Sequence, residues 1–450
     1  MICFNYNKLK NLINVFLLLM VCSADTYGFR ANISDFRGIL LTGGRFKVRP
    51  SSLIRVKVFP HTANYRPHDA DKDLRNITLR SDGVCDIWEG RSKQARKSRK
   101  KIGTGSIFVF NFETMPGPRW VECTEPVTLV RGQGLDSYVY EGKFYIRKNE
   151  NRGELEVINL ISLSQYLHGV VPSEVYPAWP MAALQSQAIA ARTYAAFHLA
   201  YSRRFMKWRF YDVDDTVKYQ AYTGLSHGNR RTSEAIDNTK GQILTFQGNV
   251  IPAYYHADSG GMTEDAAAVW SLDIPYCRGK KEVFQPEGKV RTWSRQFRLS
   301  DLTKIAIRRR LTTKRNPVIS VVVPASGRTG SGRVKLIAVQ LADESWLNLK
   351  ASVLKKMTGR LPSTLYVLSV DRPGLIKVTG TGSGHGVGMS QMGAARLAAD
   401  KEWSYDRILE FYYTGTQICS IAGRKKATKA GLTSCYDPKL LENQPLAGES

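Results

Sequence analysis

For its length the sequence is short of acid, histidine and cysteine. It sets 39 Asp and Glu against 65 Lys and Arg, a net charge of +26 over 450 residues, and holds 7 His and 7 Cys. No H-x-x-x-H and no C-x-x-C occurs, so no ready zinc or dithiol pair is present. His256 and Cys277, even if folding joined them, would be two ligands where a tetrahedral site needs four. No metal and no other cofactor is expected. Beyond the N-terminus no apolar run approaches the roughly 20 residues of a membrane-spanning helix. What is present is 43% hydrophobic content, enough for a substantial core in two or three domains, which excludes a disordered chain.

The N-terminus reads as an export signal. Lys8 and Lys10 precede "LINVFLLLMVC", and small residues, Ser23 and Ala24, end it, so the segment 1–24 is expected to be removed, leaving a mature chain from near Asp25. The protein is then exported, to the periplasm, cell envelope or medium, where disulfides form. Cys85 with Cys123 and Cys419 with Cys435 are the sequence-nearest pairs and Cys277 is left over, although spacing does not fix connectivity. Part of the positive charge lies in "RSKQARKSRKK", Arg91 to Lys101. Outside the cytoplasm its partners would be anionic wall polymers rather than nucleic acid; otherwise it is a solvated loop.

Along the chain the expected fold class is α+β. From 25 to 153 short β-branched runs such as "LIRVKVF", "GSIFVFNF" and "SYVYEGKFYIRK" alternate with Gly, Pro and Asn, giving a β-rich N-terminal part that a basic insertion, 62–103, interrupts. A mixed α/β domain follows over 154–421, built around a central alanine-rich helix, and 422–450 reads as a loosely packed tail. The helix starts at Pro180, which suits a first turn. Ala183, Gln187, Ala190, Ala191 and Tyr194 share one face, fit for close approach of another backbone. Arg192 lies among these alanines, and its charge, if buried, needs a partner, for which Glu174 is a candidate.

The segment "TGTGSGHGVGMSQMGAARLAAD", 379–400, has glycine at 380, 382, 384, 386 and 388. A dinucleotide fingerprint needs a third glycine where His385, Val387 or Met389 stands, and a phosphate loop needs a lysine that is missing between Lys377 and Lys401. An extended chain would put the glycines on one face as the side-chain-free floor of a groove.

"YLHGVVPSEVYPAWPMAALQSQAIAARTYA" and "GSGHGVGMSQMGAARLA" resemble the two defining motifs of the SpoIID/LytB family. "YDVDDTVKYQAYTG", "IPAYYHADSGGMTEDAAAVW", "RTWS", "SGR" and "YDRILEFYYTGT" are similar to its other landmarks, in the same order, so the resemblance runs from about Ile54 to Cys419. It implies a SpoIID-type catalytic domain and a lytic transglycosylase that cuts the glycan strands of peptidoglycan, with peptide-stripped glycan as substrate. The family's catalytic glutamate, in "VPSE", maps onto Glu174. Glu174 is also the only acid between Glu156 and Asp212, and it stands among Val170, Val171, Val175, Tyr176 and Trp179. Such surroundings favour a protonated general acid. Hydrolysis would need a second carboxylate, and the nearest, Asp212, Asp214 and Asp215, read first as a turn bonding local N–H groups. His385, Ser390, Gln391, Arg192, Gln220, Tyr222, Ser259 and Thr263 are the candidate saccharide contacts, and Tyr176 and Trp179 offer flat faces. The alternative function is a non-enzymatic wall-binding enhancer of a cell-wall amidase, which would then be a partner.

Three departures from the family pattern stand out: "LSQYL" for an acidic segment, Met392 for an aromatic, and the basic insertion.

Overall fold

The computed structural model describes residues 48, 51–58, 75–90, 100–131, 137–283, 292–357, 361–422, 428, 431 and 433–435. The export signal, most of the basic run and the end of the tail lie outside the described residues. The fold is α+β, with a β-rich N-terminal part, and the chain forms two compact units. The first holds the described residues up to Ala178, Ala191–Pro252 and those from Ile418 on; the second holds Trp179–Ala190 and Ala253–Gln417.

In the first unit, eleven strands form two sheets. They are β1 (Leu53–Val58), β2 (Asn76–Ser81), β3 (Cys85–Glu89), β4 (Lys100–Ile102), β5 (Ser106–Asn111), β6 (Arg119–Cys123), β7 (Val127–Arg131), β8 (Ser137–Tyr140), β9 (Lys143–Asn149), β10 (Glu154–Ser162) and β11 (Val213–Asp214). Their orders are β11-β1-β10-β9-β6-β3-β4 and β5-β2-β7-β8. The expected insertion over 62–103 is corrected by β2 and β3. Ile77, Leu79, Cys85 and Trp88 bury themselves, so the middle of that stretch is sheet and the charge run follows β3. Strands of six and five residues, each with two buried apolar side chains, give a short signal to read against their charged flanks.

The sequence-nearest cysteine pairs are bonded. Cys85 stands opposite Cys123 in the β3–β6 register, Cys419 joins Cys435, and Cys277 is free and buried. Among the described residues no helix is long and apolar enough to cross a membrane.

Helix α1 (Leu163–Glu174) leaves directly from β10, whose register with β1 runs from Leu53↔Ser162 to Val58↔Val157. Ser162 caps it, accepting the Gln165 N–H at 3.3 Å and donating its hydroxyl to Gln165 Oε1 at 2.6 Å, a variant of the capping box. It ends at Val175, which is extended. Helix α2 (Met181–Phe205) is the alanine-rich helix, and from Leu184 nearly every side chain is buried, on all faces. A helix without a polar face belongs inside, as its alanines predict. Helix α3 (Arg230–Asn238), capped by Asn229, precedes a strand Gln242–Phe246.

The second unit contains two three-stranded sheets. One orders Thr292–Arg298, Leu375–Thr381 and Tyr366–Arg372; the other orders Val318–Val322, Leu336–Leu341 and Trp346–Lys350. Phe297, Leu302, Val321, Ile337, Leu354 and Val378 share one core cluster there. A short parallel pair, Tyr255–His256 with Met389–Ser390, brings the "YYHADSGG" segment beside the glycine segment.

Candidate functional site

Glu174 is the last residue of α1, half-buried, and its Oε1 accepts the Ala221 N–H at 2.9 Å. The loop that supplies this donor is tied to α1 at several points. Thr223 N–H donates to Gly169 O, the Thr223 and Ser173 hydroxyls are 2.8 Å apart, and Ser173 Oγ also donates to Gly169 O. Gly169 of "YLHGVV" is needed for this approach: a Cβ there would lie 2.6 Å from Gly224 O and from the Tyr222 ring. Tyr176 is 62% exposed.

The other candidates in this unit are interior. Tyr222 donates its hydroxyl to Asn159 Oδ1 at 2.8 Å and packs on Tyr166 and Tyr140, and burial raises its phenol above the ordinary range. Gln220 Nε2 donates to Ala191 O at 3.2 Å. Arg192 does not pair with Glu174. Its guanidinium donates to Ile236 O at 3.0 Å and Gln242 O at 3.1 Å, with Thr239 Oγ1 at 3.4 Å, thereby closing the C-terminus of α3. Carbonyls left over at a helix end suit a cation. Burial without a carboxylate at contact lowers its pKa to about 9.

The three aspartates after α2 divide. Asp214 forms the local turn that the sequence predicts, its Oδ1 accepting the Thr216 N–H at 2.9 Å and hydroxyl at 2.5 Å; burial nevertheless raises its carboxyl. Asp212 departs from that reading. It takes the Arg55 N–H and guanidinium, at 2.9 and 2.6 Å, and the Ser202 hydroxyl, fastening the chain to β1. Asp215 is 3% exposed.

In the second unit the glycine segment is not an extended strip. Gly380 lies within the strand Leu375–Thr381, but Gly382, Gly384, Gly386 and Gly388 have φ of 73°, 103°, 86° and 72°, a region closed to most other residues. Nor are they a bare floor. A Cβ at Gly386 would meet the Arg333 guanidinium at 2.6 Å, and one at Gly388 would meet Tyr254 O at 2.0 Å. The protein's own atoms cover the glycines. Alternation of glycine fits both conformations, which is why the sequence suggests the flat one.

His385 is half-buried, and its Nδ1 accepts the Val387 N–H at 3.0 Å, which puts the proton of the neutral ring on Nε2. His256 bonds Val387 O through Nδ1 at 3.1 Å, and burial, with His385 and Arg333 nearby, pushes it well below the ordinary histidine value. Around them lies a buried polar network that sequence reading missed. Arg333 donates to Ser259 O at 2.6 Å and Met262 O at 2.8 Å; Glu264 accepts the Thr329 and Ser331 hydroxyls; Glu282 accepts Ser259 Oγ at 2.5 Å and Tyr412 OH at 2.7 Å. Burial raises Glu282 despite those donors. "SGR" was the one visible signal.

Ser390 caps the helix Gln391–Asp400 through the Gly393 N–H at 3.1 Å and also accepts the Ser259 N–H. Thr263 bonds the Lys280 main chain. Ser259, Thr263 and Ser390 thus direct their hydroxyls to protein groups. Gln391 is 5% exposed, and its Nε2 has no partner among the described residues. Among the described residues no group of three or more metal-ligating side chains occurs.

A family model described as stage II sporulation protein (SpoIID) matches residues 151–246, and one described as a domain of unknown function (DUF8618) matches 278–388. An uncharacterized protein of Brachyspira hyodysenteriae is 32% identical over 262 residues, 58% of this chain and 68% of that protein. The stage II sporulation protein D of Bacillus subtilis is 30% identical over 57% of this chain and 74% of its own length. The amidase enhancer of Bacillus subtilis is 30% identical over 56% of this chain, but over only 40% of its own length. The match spans α1, α2 and α3 and includes Glu174 and the residues that hold it. The chain belongs to the SpoIID family.

Proposed function

We propose that this protein is an exported peptidoglycan lytic transglycosylase in which Glu174 is the general acid and then the general base. The observation that carries the reading is the place of Glu174: the family match includes it, and it is a half-buried carboxylate at the end of α1 whose Oε1 accepts the Ala221 N–H. It stands on the last turn of α1, where the negative end of the helix dipole works against added negative charge.

In the reaction, Glu174 gives its proton to the glycosidic oxygen between N-acetylmuramic acid and N-acetylglucosamine as the C1–O bond breaks. The carboxylate then takes the proton of the C6 hydroxyl of the same muramic residue, and O6 closes on C1 to give a 1,6-anhydro end. No water is consumed, so one carboxylate suffices. The disposition of the aspartates supports this route over hydrolysis, since Asp212 is bound to Arg55 and Asp214 to Thr216. Export to the cell envelope follows from the N-terminal signal and is supported by the two disulfides. Peptide-stripped glycan is the proposed substrate, and anionic wall polymers are proposed partners of the basic run.

The likeness to the amidase enhancer supports a second reading, a wall-binding partner of an amidase without activity of its own. Incubation of the protein and its Glu174→Gln variant with intact and peptide-stripped glycan, followed by mass spectrometry, separates them. Anhydro ends from the normal protein alone are expected. No anhydro ends on either substrate overturns the transglycosylase reading, and hydrated ends indicate a hydrolase.

A further inference from the structure

We propose that Trp270, with Tyr254 and His385, is a stacking subsite for one pyranose ring of a glycan, a binding site in the second unit. It rests on the reading above that the protein's ligand is a glycan. Trp270 and Tyr254 lie outside both segments that the family models match.

The three rings form one cluster. Tyr254 and Trp270 have centroids 4.5 Å apart, Trp270 and His385 5.2 Å, and Tyr254 and His385 6.4 Å with planes at 86°. All three are half-buried, and Ala267, Ala268 and Val269, beside Trp270 in the sequence, are exposed. A core cluster would be closed on every side, as Tyr412 and Tyr413 are, with 1% and 0% exposure. Here one side of the cluster faces outward.

The chain also fixes Trp270 in place. It is the last residue of a one-turn helix, Ala266–Trp270, that Asp265 caps by accepting the Ala267 N–H at 2.9 Å. Ala266 N–H reaches Cys277 O at 3.1 Å, and Arg278 spans Asp265 at 3.3 Å and Asp273 at 2.5 Å. Ser271 then turns the chain at φ 56°, a left-handed conformation that a serine adopts only when its surroundings impose it. So many restraints on five residues hold the indole ready rather than letting it collapse onto the core.

The polar groups point to a saccharide. The Trp270 indole makes no hydrogen bond among the described residues, so its N–H is a donor at the platform's rim. His385, whose Nδ1 accepts the Val387 N–H, adds its ring to the platform. A pyranose has an apolar C–H face for the rings and hydroxyl or N-acetyl oxygens for the indole donor. The nearby charges, one Arg278 against Asp265 and Asp273, leave a net negative charge, so the site does not select a polyanion.

The test uses full-length Glu174→Gln protein, which leaves glycan uncleaved, with soluble peptide-free glycan strands as the probe. The Trp270 indole N–H signal, assigned by its loss in Trp270→Phe, is followed by NMR during titration, and affinity is measured by calorimetry. The signal shifts; Trp270→Phe binds within about threefold of the parent, and Trp270→Leu about tenfold more weakly. Glycan binding that leaves the Trp270 signal in place and is unaffected in Trp270→Leu overturns the subsite while the glycan reading stands. Tetramethylammonium moving the signal where glycan does not overturns it in favour of a cation cage. If the normal protein neither binds nor cleaves glycan, both readings fall.

Discussion

Glu174 in the first unit and Glu282 in the second are both partly or wholly removed from water, yet they are built for opposite ends. Glu282 is 5% exposed, and Ser259 and Tyr412 each give a hydroxyl to a different oxygen. Glu174 is half-buried at the end of a helix, where its Oε1 accepts the Ala221 main-chain N–H. A carboxylate surrounded by donors is a fastening. One held through the backbone at a helix end can exchange protons with a ligand. The difference teaches that burial of an acid is by itself no mark of catalysis: the more buried of the two is the fastening.

That comparison can be sharpened first at Glu282. Glu282→Ala strands two buried hydroxyls and is expected to cost about 3 kcal/mol, read as a lowered Tm and denaturation midpoint. An unchanged midpoint would mean that Glu282 is not the fastening described. Arg192→Met, which leaves Ile236 O and Gln242 O without their donor, should cost about 2 kcal/mol by the same measurement. Gly393→Ala follows, since its Cβ would sit 2.1 Å from Tyr412 OH and 2.2 Å from Glu282 Oε1; about 1–3 kcal/mol of overpacking is expected.

Acid should weaken the fold through its buried histidines. Burial holds His198 at about 3 and His256 well below its usual value. Each is neutral when folded and protonates near 6.5 when unfolded, so its contribution is complete above that pH and is lost as pH falls toward the folded value. Asp214 and Glu282, raised by burial, act with the opposite sign and gain as pH falls. The expected result is a Tm that falls from pH 6.5 to 4, with a shallower fall in His198→Gln; equal slopes would remove His198 from the account. The smallest effect is expected at Asp214→Asn: glycan cleavage changes by less than about threefold and the ends stay anhydro, whereas loss of cleavage would make Asp214 the second carboxylate.

Much of this was legible beforehand. The serine and glutamine of "SLSQ" cap α1, the alanines of α2 predict burial all round, and the disulfides join sequence neighbours. The partners of Arg192 were not, because they are main-chain carbonyls 44 and 50 residues away, to which composition gives no clue. The glycines of 380–388 were legible as special but not as left-handed, since the neighbours that forbid a Cβ, such as Arg333 and Tyr254, come from distant segments. Trp270 escaped notice for a similar reason: its ring partners lie 16 residues before it and 115 after, and only folding sets them side by side.

The most direct test of the central claim sets Glu174→Gln beside Glu282→Gln and measures the initial rate of peptide-free glycan cleavage at a temperature where both remain folded. A general acid contributes about 10²–10⁴-fold, so Glu174→Gln should lose at least about a hundredfold in rate with its Tm unchanged, while Glu282→Gln keeps most of its rate with a lowered Tm. Cleavage by Glu174→Gln at the normal rate would contradict the account.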